Sequence, residues 1–150
     1  MSKLVRTIGW LLYGPIIIFG FYIIMHGHLT PGGGFQGGAV VASAFALLIV
    51  AYGPKGAGLK ERLFSAVESG GALIFVGLAF LGLGATFFYN FLAAGGGVIF
   101  NELVPQGPNP GDLNTAGTLP LMNWAVGLKV LSGLGSIVLL LALFPQEEEE

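Results

Sequence analysis

The sequence predicts an all-α integral membrane protein with four transmembrane helices, both termini cytoplasmic, and a short second span preceded by glycine. Three observations predict it. Of the 150 residues 54% are apolar and only 9% charged, and the mean hydropathy is +0.82, too apolar a balance for a soluble domain of this size. Apolar runs suited to a hydrocarbon core of about 30 Å recur along the chain. Finally, Lys3 and Arg6 lie at the start of the first span, Lys55, Lys60 and Arg62 separate the second from the third, and the other two connections carry no Lys or Arg. The positive-inside rule then puts both chain ends in the cytoplasm.

The first span, Leu4 to Met25, exceeds the h-region of a signal peptide and no small-residue cleavage site follows it, so it is expected to stay in the mature protein. Gly14-Pro15 inside it removes a backbone donor and predicts a kink. The second, Ala39 to Tyr52, would cover only about 21 Å and needs help from its glycine-rich flank. Phe64 to Tyr89 and Leu119 to Phe144 are long enough unaided. Tyr52, Tyr22, Tyr89 and Trp124 fall near span ends and read as interface anchors. The chain divides into one membrane domain, residues 1–144, and an acidic cytoplasmic tail, residues 145–150. With no cysteine it cannot by itself hold a disulfide or an Fe–S cluster, so any electron transfer belongs to another subunit.

The first connection, "HGHLTPGGGFQGG", concentrates His26, His28, Pro31, Gly32, Gly33, Gly34, Phe35, Gly37 and Gly38. If its glycines are helical, Gly34, Gly38, Ala42 and Ala46 form a small-residue stripe that lets another backbone approach. If they are unwound, their bare N–H and C=O groups line protein or water and can meet an ion. Packing is the commoner use of small residues, and both readings stand. A phosphate loop is excluded because no Gly-Lys-Ser/Thr follows. His26 and His28, with no third ligand nearby, predict no metal site; they read as interface residues, with a proton relay open to them.

Glu68 and Lys129 interrupt otherwise apolar spans, at a cost of a few kcal/mol each if they face lipid. Both ride on small-residue faces: Ser65, Glu68, Ala72 and Ala79 on one helix; Ala125, Lys129, Gly133 and Ser136 on the other. Taken from the span ends, their levels differ by on the order of 10 Å, so a direct contact needs tilt and the long lysine stem. Otherwise Glu68 pairs with Arg62 or Lys60 near the head groups, and Lys129 finds a carboxylate on another subunit or a hydrated path.

"HGHLTPGGGFQGG" followed by a short Ala-rich span, and "GTLPLMNWAVGLKV" with its Lys129, together resemble the B-type component of the Mrp-type multisubunit Na+/H+ antiporters. The likeness covers nearly all of residues 1–144. It implies a noncatalytic subunit of a hetero-oligomeric membrane assembly that moves Na+ and H+, with no cofactor on this chain and no nucleic-acid partner. Its neighbours would be other Mrp-type membrane subunits and the bilayer of the cell membrane. Related modules occur in archaeal membrane-bound hydrogenase and sulfur-reductase complexes, and the long segment Phe91 to Thr118 leans toward that redox-linked type. A scaffold subunit whose glycine stripes seal neighbours together is the competing reading. In the first, Lys129, Glu68, His26 and His28 are ion-translocation candidates; in the second they are structural.

Overall fold

Ser2 opens the first helix: its hydroxyl oxygen accepts the Val5 N–H at 3.4 Å, satisfying a donor that the helix start leaves free. Helix α1 (Lys3–Met25) then runs through Pro15 and ends at His26, whose N–H donates to the Tyr22 carbonyl at 3.0 Å. The computed structural model describes residues 1–95, 99, 100, 102, 103 and 111–147, with side chains through Phe144. Helix α2 is Gly33–Tyr52, α3 is Glu61–Leu81, the single turn α4 is Phe91–Ala94, and α5 is Leu119–Glu147. Four of these, α1, α2, α3 and α5, are long and apolar enough to cross a membrane. No named strand occurs among the described residues; one parallel bridge joins Glu102 to Thr115.

Helix boundaries differ from the sequence expectation, most of all at the start of α2 and the end of α3. Helix α2 starts at Gly33, so the glycines are themselves helical and bring the short span to 20 residues, or about 30 Å. The turn into it needs glycine, because Gly32 and Gly33 have φ of 124° and 56°. Helix α3 stops at Leu81 instead of Tyr89. Gly82 and Gly84 weaken it there, and the chain folds back until the Phe88 N–H reaches the Ala79 carbonyl at 3.3 Å and its ring lies 5.3 Å from Phe75. Tyr89 therefore lies beyond the helix. Helix α5 passes Phe144 and continues to Glu147, so it takes in the first part of the acidic segment.

The helices pack as a row in the order α1, α2, α5, α3, and α1 does not touch α3. Glycines set the spacing. A Cβ on Gly37 would sit 2.6 Å from the Gly20 carbonyl oxygen, one on Gly38 would sit 2.8 Å from that of Gly127, and one on Gly71 would sit 2.7 Å from that of Ala125. Backbone thus lies on backbone at α1–α2, α2–α5 and α3–α5, gaining dispersion contacts where no hydrophobic drive operates between helices. Ile49, Phe64 and Leu139 form a buried cluster with Phe45 where α2 ends and α3 begins, the Phe45 and Phe64 rings meeting edge-on at 5.2 Å. Outward faces stay apolar, with Trp10, Leu11 and Ile18 on α1 and Leu73 on α3 all exposed. At membrane depth such faces meet lipid or another subunit.

Candidate functional site

The glycine motif folds into a turn that ties three helices together. His26 caps α1, and its Nδ1–H points at the Tyr22 carbonyl at 2.9 Å, the ring lying 4.0 Å from that of Tyr22. Leu29 and Thr30 donate their N–H groups back to the His26 carbonyl at 2.9 and 3.0 Å. Pro31 is exposed in the turn, and Gly27 packs on Gly33 so closely that no side chain fits between them. At the start of α2, the Gly34 N–H donates to Asn123 Oδ1 of α5 at 3.4 Å. A Cβ on Gly34 would fall on the Asn123 carbonyl oxygen. Asn123 is a site residue that the sequence reading passed over. The signal was a lone amide in an apolar helix, which costs free energy unless it has a partner.

His28 lies under the outer segment. Neither of its ring nitrogens meets solvent or a hydrogen-bond partner. Loss of water pushes its pKa below the ordinary histidine range; the Asp112 backbone opposes this without reaching good hydrogen-bond geometry, and His26 adds to the lowering. Since the neutral ring is the one that fits, the turn is most stable above the unfolded pKa of about 6.5 and loses stability as pH falls toward the lower folded value. Amide exchange in the turn and in residues 111–118, corrected for intrinsic rate, should therefore rise below about pH 6.5 in the wild type and respond less in His28→Gln. An equal response in both proteins would remove His28 as the cause.

Around it, Asn90 organises the outer segment. Its Oδ1 accepts the Thr118 N–H at 2.9 Å and its Nδ2 donates to the Ala116 carbonyl at 3.0 Å. Thr115 is buried and donates through Oγ1 to the Asp112 carbonyl at 2.9 Å.

Deeper along the row, Lys129 Nζ lies 3.2 Å from Glu68 Oε1. The direct contact, for which the long lysine stem is needed, is made. Packing of Gly71 on the Lys129 backbone sets α3 and α5 in register so that Glu68 faces Gly133, one turn beyond Lys129, and the lysine stem covers the remainder. The Glu68 partner is thus Lys129 and neither Arg62 nor Lys60. Both side chains remain partly open, 51% for Lys129 and 38% for Glu68, so this ion pair is not sealed inside the chain. It opens into an apolar groove of about 220 Å³ whose walls are Val130, Leu134, Ile137 and Phe35. Phe35 joins the two parts of the site: it belongs to the glycine motif and lies in the groove with the ion pair, while His26 and His28 sit apart at the turn. Among the described residues no three His, Cys, Asp or Glu side chains converge as a metal site would require.

A family model for a domain related to the MnhB subunit of Na+/H+ antiporter matches residues 4–136. The chain belongs to this MnhB-related family. The resemblance drawn from its motifs is borne out. An uncharacterized protein of Methanocaldococcus jannaschii is 38% identical to this MnhB-related chain over 149 residues, covering 89% of the chain and 54% of that protein. A Staphylococcus aureus protein named as antiporter subunit mnhB2 is 45% identical over 47 residues, 31% of this chain and 33% of its own length. A chain in the structure of the membrane-bound sulfane sulfur reductase, an archaeal respiratory membrane complex, superposes with a TM-score of 0.75 at 32% identity, covering 94% of this chain and 58% of that one. The MnhB-related chain thus spans about half the length of the first relative and of the solved structure.

Proposed function

We propose that this chain is a noncatalytic membrane subunit of an Mrp-type module that translocates Na+ and H+, in an archaeal redox-driven respiratory complex or a stand-alone antiporter. The observation that carries the reading is the Lys129–Glu68 pair, held at membrane depth beside an open apolar groove. A lone charge there costs a few kcal/mol, and pairing offsets part of that cost. One contact leaves Lys129 with further donors and Glu68 with a second oxygen, which lipid tails cannot serve. Water or polar groups of a neighbouring subunit therefore complete the site. A proton or Na+ arriving at Glu68 weakens its attraction for Lys129, and a released ammonium repels the next cation. That is a minimal coupling element between two cations.

The scaffold alternative loses part of its support, since the stripe's glycines, Gly34 and Gly38, are occupied by α5 of the same chain. The proposal is tested on the purified assembly by following Na+-dependent proton movement in proteoliposomes. An assembly that contains this chain and moves neither ion would count against it. The orientation, with both termini cytoplasmic, is tested by single cysteines at the exposed positions Glu61 and Leu103, since the chain has no native thiol. Impermeant maleimide should label the first only from the cytoplasm and the second only from outside. Labelling of both from one side excludes this topology.

A further inference from the structure

We propose that the end of the row where α1 begins and α2 finishes holds one anionic phospholipid. Its phosphate would sit beside Arg6 and Tyr52, and an acyl chain would lie along Trp10, Tyr13 and Pro15. Two hollows meet there. One, of about 180 Å³, is lined by Trp10, Leu48, Tyr52, Gly56 and Ala57. The other, of about 320 Å³, is lined by Trp10, Leu11, Tyr13, Gly14 and Pro15, and lies deeper along α1. Trp10 borders both.

The chemistry changes along this path as a lipid does. Lys3, Arg6, Trp10 and Gly14 are three or four residues apart, so they lie along one stripe of α1. Arg6 lies over the Tyr52 ring, 5.9 Å from its centre, and the Tyr52 hydroxyl donates to the Arg6 carbonyl at 3.2 Å, which fixes the cation at the mouth of the first hollow. Lys55, exposed on the following turn, adds a third positive charge at the same end. Residues 1–60 contain no Asp or Glu, so neither α1, α2 nor the connections beside them supply an anion. The second hollow is apolar through Trp10, Leu11 and Pro15, and Gly14 leaves it open, since a Cβ there would meet nothing within 4 Å beyond its own stretch of helix. Cations at the head-group level, an aromatic ring next and an empty apolar trough beyond it complement a single anionic amphiphile.

The test is native mass spectrometry of the assembled complex, released in mild detergent and equilibrated with phosphatidylglycerol or phosphatidylcholine. Wild type should retain phosphatidylglycerol over phosphatidylcholine by about fivefold for each engaged cation, and Arg6→Gln should lose about fivefold of that preference. Gly14→Leu fills the trough at a position with room for a side chain, so it should lower retention of both lipids and keep their ratio. Complex yield for each variant shows that the fold is intact. Equal retention of the two lipids by wild type, or no lipid because another subunit or residues 147–150 cover this face, overturns the proposal. So does displacement by millimolar inorganic phosphate to the same degree in wild type and Gly14→Leu, which would make the site one for a free anion. The proposal does not depend on the transport reading, and neither result bears on the other.

Discussion

Gly34→Leu should prevent the chain from entering its complex, with yield falling to near background, while Gly77→Leu should assemble normally. The difference follows from what each side chain would meet. A Cβ on Gly34 would fall on the Asn123 carbonyl and lie 2.9 Å from the Gly127 amide nitrogen, both backbone atoms of α5 that cannot rotate away. A Cβ on Gly77 meets nothing within 4 Å. Overpacking a tight site costs about 1–3 kcal/mol and more where backbone must move, and α2 is the only link between α1 and the rest of the row beyond a minor α1–α5 contact. Asn123→Ala, which removes only the acceptor for the Gly34 N–H, should be milder, at about 1 kcal/mol. Blue-native gels of membranes expressing each variant report the outcome directly. Normal assembly of Gly34→Leu would mean that the α2–α5 seam carries little of the stability.

Lys129→Ala should leave the complex assembled and lower Na+-dependent proton movement by roughly tenfold or more, equivalent to about 1.4 kcal/mol per factor of ten. Assembly survives in this account because Glu68 is partly open beside the groove, where water or a polar group of a neighbour can take the place of the ammonium. Transport does not survive, because the movable positive charge is gone. Lys129→Arg keeps the positive charge and should rescue poorly only where Lys129 has to release a proton, because guanidinium stays charged. A scaffold role predicts the opposite pairing: alanine lowers yield by stranding a carboxylate, Glu68→Gln in the same chain restores it, and flux per assembled complex never changes. Yield and flux measured on one preparation separate the two. Full assembly with wild-type flux would eliminate both accounts of Lys129.

Much of this was legible in the sequence because a bilayer leaves few choices. Length and hydropathy were enough to find four helices, since a spanning backbone must satisfy its polar groups internally. The end of α3 was not legible: Leu83, Phe87 and Phe88 keep the hydropathy high, and only the fold-back onto Phe75 and Ala79 shows that the helix has already stopped. The Lys129–Glu68 contact was underestimated for a related reason. Counting from span ends treats helices as independent rods, whereas their relative height is set by Gly71 seated on the backbone of α5. Asn123 and Asn90 escaped notice because a single amide carries no periodic signal, and its importance appears only with the distant backbone it holds.

One feature of the row governs how the chain responds to force. Helix α3 is fastened to its siblings through α5, with Phe64 meeting Phe45 of α2 at one end. It is the outer arm of the row, seated on α5 at Phe64, Glu68 and Gly71, and the Lys129–Glu68 pair is a latch placed part-way along it. Swinging α3 outward would separate both charges in the same movement. Any neighbour that grips α3 thus pulls against an electrical catch, and releasing that catch by neutralising Glu68 would leave the arm held only by van der Waals contact.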